Sequence, residues 1–215
     1  MKANEASLFP PNRQVLNLFH GFPTWGQVVE SKEVETRRLN DVPETAGATF
    51  IEMDIQGAEL LALQHAPSRL RDALVLHLEV GFVSLYRDQP LFSDVERFLR
   101  GRGFMLHKFS DTMSRVVQPM MLNNSIFAGL NQLLWADAVF MRDLAAVETL
   151  SPKQLIAFAA IMHECYKSID ISLHLLQEHD RRSGGNLASR YLAGITGASG
   201  STGQNNTPLP QAIPA

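Results

Sequence analysis

Apolar residues follow two alternating patterns along the chain, and each pattern predicts a different element. Short continuous apolar runs predict buried strands. Apolar residues that recur every three to four positions predict helices that bury one face. Strands that alternate with helices of this length indicate βαβ units, so we expect an α/β fold with a mainly parallel sheet. The predicted principal strands are 49–55, 73–80, 104–109 and 133–141.

The predicted helices share helical apolar spacing and plausible start or stop residues. Ser151 followed by Pro152 is the clearest start, because serine caps a helix and proline fits its first position. Two weaker apolar stretches, 28–29 and 34–39, are interpreted as short strands. The predicted helices are 12–19, 58–65, 91–102, 153–166 and 169–181.

The end of the chain differs in composition from the rest. Residues 194–215 are rich in Gly, Ser, Thr, Asn and Pro, and such a segment buries too little apolar surface to offset its ordering entropy. We therefore predict one domain over 1–193 and a disordered tail over 194–215.

Composition excludes several classes of function. The chain has 215 residues, 45% of them hydrophobic and 19% charged, which is ordinary for a globular protein. Its net charge of -3 provides no basic field, so nucleic acid is not an expected partner. The single cysteine excludes an intramolecular disulfide and a cysteine-based zinc cluster. No apolar run of membrane-spanning length and no signal-peptide pattern occurs, so the cytoplasm is the expected location.

The segment 50–60, FIEMDIQGAEL, is the best candidate for chemistry. It predicts a buried strand that carries Asp54 to its C-terminal end, where ligands of open α/β sheets bind. A carboxylate there can orient a hydroxyl, take up its proton or hold a cation. Gly57 permits close backbone approach, and Glu59 falls in the first turn of the next helix. The same pattern also fits Asp54 and Glu59 as caps of that helix.

Several motifs in order resemble one family. DIQGAELLAL, with VETRRLNDV before it and LHLEVGFVSLYRDQPLFSDVERFLRGRGFMLH after it, resembles the second half of FkbM-type methyltransferases. SLFPPN and LLWADAVFMRDL resemble segments of the longer members, so the resemblance covers about residues 5–193.

The resemblance implies a fold, a cofactor and a set of site residues. The implied fold is a Rossmann-like methyltransferase sheet with C-terminal helices, in which 104–109 and 133–141 form an antiparallel pair at one edge. The implied reaction is methyl transfer from S-adenosylmethionine, usually to a hydroxyl oxygen of a small molecule, sugar or lipid. No metal site is expected. The candidate catalytic residues are Asp54 and Glu79, and the candidate substrate contacts are Gln56, Gly57, Glu59 and Tyr86.

The chain departs from the family pattern in ways that keep a second interpretation open. Glu52 stands where a lysine is usual, Asn40 replaces the first aspartate of an RLDD-like element, and Gly81 replaces a second glutamate. No glycine-rich turn follows a strand, so the sheet is expected to be truncated in its N-terminal half, without the family's cofactor-binding segment. The alternative function is a non-catalytic pseudoenzyme or interaction module that retains the substrate half of the fold.

Four further hypotheses concern ligands and partners. A metal-dependent enzyme could use Asp54, His77 and Glu79, although a strand histidine is more often satisfied by hydrogen bonds. The polar loop 86–90 could contact substrate. Without a neighbouring strand, 49–55 becomes a sheet edge, so we expect self-association or a partner that completes the sheet. An aromatic set could shape an acceptor pocket or simply belong to the core; its members are Phe82, Tyr86, Phe92, Trp135 and Phe140.

Overall fold

The computed structural model describes residues 6–198, which form two compact units that divide after Leu150. The first unit contains a mixed α/β arrangement with one sheet, and the second contains helices. The sequence treated 1–193 as one domain. The helix start at Ser151 coincides with the boundary between the two units.

The first unit is built on a four-stranded sheet with the order β1-β2-β4-β3. The strands are β1 Phe50–Met53, β2 Val75–Gly81, β3 Phe104–Arg115 and β4 Gln132–Arg142. β1 and β2 are parallel, whereas β4 runs antiparallel to both β2 and β3. The antiparallel pair of β3 and β4 at one edge is confirmed. The prediction of a mainly parallel sheet is wrong, because β4 inserts between β2 and β3 in the opposite direction.

Five helices accompany this sheet in the described part of the first unit: α1 Arg13–Leu16, α2 Phe22–Trp25, α3 Glu59–Gln64, α4 Pro67–Asp72 and α5 Phe92–Arg100. α4 was not predicted, because Pro67 was interpreted as the end of a helix and instead occupies the first position of the next one. The short strands predicted at 28–29 and 34–39 are also wrong. That segment has neither helix nor strand up to Arg38, and Val29 is 97% exposed, so it has no packing surface to stabilise a strand.

Two apolar clusters hold the first unit together. In the larger one, Leu76 and Leu78 of β2 are fully buried against Leu63 of α3 and Leu99 of α5. Burial of a side chain of this size contributes about 1.5–3 kcal/mol. The smaller cluster packs α1 and α2 on β4; its buried members are Leu16, Phe19, Phe22 and Leu134.

The second unit contains α6 Pro152–Tyr166, α7 Ile169–Ser183 and α8 Leu187–Ala198. Ser151 caps α6 as expected, because its Oγ accepts a hydrogen bond from the Gln154 N–H at 3.3 Å. α8 was not predicted, and it includes the first five residues of the predicted tail; 199–215 lie outside the described residues. None of the helices described between 6 and 198 combines the length and the apolar character that a membrane crossing requires.

Candidate functional site

A cavity of about 480 Å³ lies in the first unit, next to the carboxyl ends of β1 and β2. Its size is within the range of small-molecule sites, roughly 300–1,000 Å³. Gln56 follows β1, and Glu79 and Gly81 stand at the end of β2, so the site lies where the sequence predicted it. The apolar wall comes mainly from Leu16, Phe22, Trp25, Leu85, Phe127 and Trp135.

Gln56 is the centre of the polar side of the cavity. Its Nε2 donates hydrogen bonds to Asp54 Oδ1 at 2.7 Å and to Glu79 Oε1 at 3.4 Å. The Tyr86 hydroxyl donates to Gln56 Oε1 at 2.9 Å. These contacts distinguish the two ends of the amide, because a donor faces the oxygen and two carboxylates face the nitrogen. The structure therefore brings together four of the residues that the sequence selected.

The two candidate catalytic carboxylates differ in their access to the cavity. Glu79 is half-buried and lines it, whereas Asp54 is exposed and is not among the lining residues. The sequence ranked Asp54 as the leading candidate. The geometry instead places Glu79 at the cavity and Asp54 beside the Gln56 amide, from which both carboxylates accept hydrogen bonds.

Gly57 and Glu59 were both predicted as substrate contacts. They lie at the turn between β1 and α3, where their contacts are with other residues of the first unit. Glu59 is only 4% exposed, and its Oε1 accepts hydrogen bonds from the backbone N–H of Ile55 at 2.8 Å and of Gly57 at 3.4 Å. Burial raises the pKa of Glu59, although the backbone N–H groups oppose that shift. Neither residue lines the cavity, so both predictions are corrected: Glu59 ties the turn together, and Gly57 is buried beneath a neighbouring side chain.

That covering side chain is Gln89, in the polar loop after β2. Its Oε1 accepts a hydrogen bond from the Tyr86 N–H at 3.1 Å, and Gln89 itself lines the cavity. A Cβ on Gly57, which has φ +95°, or on Gly81 would lie 3.0 Å from Gln89. Gly81 is the position at which this chain departs from the family's glutamate, and its lack of a side chain leaves room for Gln89.

Sequence reasoning missed the part of the cavity formed by α2 and β3. Phe22 and Trp25 lie with ring centroids 5.3 Å apart, and Trp25 stacks on Phe127 at 5.5 Å. Arg115, at the end of β3, lines the cavity with its guanidinium 6.0 Å from the Phe22 ring. Burial lowers the pKa of Arg115. The only local signal is the aromatic pair three residues apart, which does not reveal its partners on β4 and in the loop before β4.

The predicted aromatic set divides between the two alternatives. Phe82, Phe92 and Phe140 pack in the larger core cluster, whereas Tyr86 and Trp135 line the cavity. Phe82 and Tyr86 both follow β2 closely but have different surroundings, and the sequence pattern alone does not show this difference.

The remaining candidate residues, His77, Asn40 and Glu52, lie outside the cavity. The imidazole Nε2 of His77 is 3.0 Å from Ser110 Oγ, in hydrogen-bond contact, as expected of a structural histidine. Over the described range 6–198, no three His, Cys, Asp or Glu side chains are grouped so that they could hold a metal ion. Asn40 Oδ1 accepts a hydrogen bond from the Ser68 N–H at 3.1 Å, at the start of α4, and Glu52 is exposed on β1.

The structure is an α/β domain with a cavity of small-molecule size next to the carboxyl ends of β1 and β2. The model of the FkbM methyltransferase domain matches residues 3–106, a segment that includes Gln56, Glu79, Tyr86 and Gln89. Comparison with curated proteins and with solved structures gives no match. Residues 3–106 are thus similar to the FkbM methyltransferase domain, which confirms the resemblance of the motifs within that segment.

Proposed function

We propose that the chain takes part in methyl transfer from S-adenosylmethionine to a hydroxyl group, and that the cavity holds the methyl acceptor. The main observation is the position of Glu79, which lines the cavity and accepts a hydrogen bond from the Gln56 amide, itself held by the Tyr86 hydroxyl. The family supplies the reaction class and the methyl donor. The acceptor is a hydroxylated small molecule, sugar or lipid.

The proposed chemistry at the acceptor is orientation followed by loss of a proton. Glu79 accepts the hydroxyl proton as the oxygen becomes a nucleophile. Gln56 donates a hydrogen bond to one carboxylate oxygen of Glu79 and so orients the carboxylate at the cavity. Asp54 and Tyr86 fix the Gln56 amide and are positioning residues. Alignment of the acceptor supplies much of the rate enhancement expected of such a site.

The described residues do not form the glycine turn with free N–H groups that would bind the methyl donor. In this fold a nucleotide is held by free N–H groups in a glycine turn between a strand and a helix. The turn between β1 and α3 has a glycine, but the N–H groups of Ile55 and Gly57 are directed at Glu59, and Gln89 covers Gly57. A carboxylate or phosphate there would meet the buried Glu59.

This observation favours a second candidate function, in which the chain binds the acceptor-type ligand without catalysing transfer on its own. Both candidates use the same cavity. They differ in whether the chain binds S-adenosylmethionine.

Radiolabelled S-adenosylmethionine and a panel of phenols, sugars and fatty alcohols distinguish the two candidates. For an enzyme, we expect labelled product from the full chain, and a loss of about 10²–10⁴-fold in rate in Glu79→Gln. Asp54→Asn should cause a smaller loss. Equal rates in wild type and Glu79→Gln would refute the role of Glu79. The second candidate would be established if calorimetry detects no binding of S-adenosylmethionine and no labelled product forms, while the chain still binds an acceptor.

A further inference from the structure

The cavity has one carboxylate and one guanidinium at different places along the sheet. Among the described residues that line it, Glu79 and Arg115 carry these charges. Glu79 pairs with Asp137 of β4, and Arg115 pairs with Gln132. These partners are five positions apart on β4, so the backbones of Glu79 and Arg115 are about 17 Å apart along the strand direction, at 3.4 Å per residue. The two charged side chains therefore enter the cavity from different positions along the sheet.

The hydrogen bonds of Arg115 differ from those of the structural arginines in the same unit. Arg142 donates to the carbonyl groups of Leu70, Arg71, Ala73 and Arg102, and so joins separate segments. Arg69 likewise reaches Asn40, Val42 and Thr45. The described bonds of Arg115 instead go from Nη1 to Ser114 and Met113, its own neighbours on β3. They tie no other element to β3.

Arg115 also has a donor that the described residues leave without an acceptor. Its Nε is buried, and no hydrogen-bond acceptor for it is present between residues 6 and 198. Leaving such a group unsatisfied is costly, and a charged donor gains most from an anionic acceptor. Desolvation by the surrounding protein strengthens the attraction between the guanidinium and an opposite charge.

We infer that Arg115 makes this cavity selective for a ligand that carries an anionic group, carboxylate or phosphate, at the end opposite its hydroxyl. The aromatic wall of Phe22, Trp25 and Trp135 packs on the apolar middle of that ligand. The methyl acceptor is then a hydroxylated amphiphile with an acidic end. This inference rests on the proposed function only in treating the cavity as the acceptor site.

Tryptophan fluorescence of the full chain reports directly on this cavity. The chain has two tryptophans, and both Trp25 and Trp135 line the cavity. Suitable probes absorb no light at the excitation wavelength and differ only in the end group. They are ω-hydroxydodecanoate, its methyl ester, ω-hydroxydodecyl phosphate and ω-aminododecanol, used below their micellar concentrations.

We expect at least one anionic probe to bind about tenfold or more tightly than the ester, and the amine to bind most weakly. Arg115→Gln should remove the preference for the anion over the ester, while Arg115→Lys keeps part of the preference. Arg13→Gln, an exposed residue of α1, is the control and should retain it. The carboxylate and phosphate probes identify which anion fits.

Equal affinities of the wild-type chain for the anions and the ester would overturn the inference, as would binding of none of the probes. A full preference in Arg115→Gln would also overturn it. If Arg115→Gln fails to fold, the comparison of probes on wild type and Arg115→Lys still decides. No step requires S-adenosylmethionine. If the chain transfers methyl groups only to neutral acceptors, this inference is wrong and the proposed function still holds. If the chain prefers the anionic probes but transfers no methyl group, this inference holds and the proposed function is wrong.

Discussion

Replacement of Glu59 by alanine should destabilise the turn that carries Gln56 into the cavity. The Glu59 side chain is 4% exposed and accepts the N–H groups of Ile55 and Gly57. A buried N–H group without an acceptor costs about 1–3 kcal/mol. Ile55 is 39% exposed, so water can replace part of its bond, whereas Gly57 is buried. We expect a loss of about 2–4 kcal/mol in the free energy of unfolding, a large part of a typical 5–15 kcal/mol.

The variant Glu59→Gln removes the charge of the side chain but keeps an oxygen that can accept both hydrogen bonds. Glutamine keeps an acceptor oxygen for both N–H groups and does not titrate, so its cost at neutral pH should be below about 1 kcal/mol. Burial raises the folded-state pKa of Glu59 above the ordinary value of 4.5. The stabilising contribution of protonated Glu59 is therefore fully present below the unfolded pKa, and it is lost as pH rises through the folded pKa. Relative to Glu59→Gln, the wild type should therefore lose stability as pH rises above the ordinary glutamate pKa of 4.5.

Urea unfolding at several pH values, followed by tryptophan fluorescence, measures both effects. Trp25 and Trp135 both lie in the first unit, so the signal reports on the unit that contains Glu59. Glu33→Gln is the matched control, because Glu33 is exposed in the irregular segment. The reasoning is refuted if wild type gains stability over Glu59→Gln as pH rises, since the N–H bonds to an ionised carboxylate would then outweigh its burial.

Three further predictions concern packing and association. Arg142→Met should cost about 3–5 kcal/mol of unfolding free energy, because four carbonyl groups lose their donor; Arg71→Met, on an exposed residue, should cost under about 1 kcal/mol. Gly81→Glu, which introduces the residue usual in the family, should displace Gln89 and lower the melting temperature, and an unchanged Tm would show that the loop adapts freely. We propose that the chain self-associates through the edge 49–55, which sedimentation at roughly tens of micromolar should detect; a stable monomer there would contradict it.

The elements that the sequence predicted well are those specified by local pattern. The apolar run of β2 is continuous because the strand is buried on both faces, and Leu76 and Leu78 are fully buried. Ser151 and Pro152 define a helix start through local hydrogen bonding and a fixed φ angle. The cluster of Asp54, Gln56 and Glu79 was found because both parallel strands end at the same sheet edge.

The elements that were missed depend on contacts between distant segments. The direction of β4 is set by pairing with β2 and β3, and apolar runs carry no direction. Phe22 meets Trp135 across more than a hundred residues, with ring centroids 6.4 Å apart. Arg115 lies six residues beyond the predicted strand 104–109, and no pattern in the sequence marks it. Only its burial at the cavity wall, next to Phe22, distinguishes it.

The position of Gln56 shows why residues outside the cavity should still control ligand binding. Its φ of 55° is left-handed, a region that costs a residue other than glycine about 1–3 kcal/mol unless surrounding contacts hold it. Three contacts surround the turn: Ser7 Oγ donates to the Gln56 carbonyl at 2.8 Å, Glu59 accepts the N–H groups on either side, and Gln89 covers Gly57. The amide that orients Glu79 is therefore placed by side chains that include the buried, non-lining Glu59. Because the strained backbone has a lower-energy alternative, loss of one support should move the amide first, and binding should weaken before the unit unfolds.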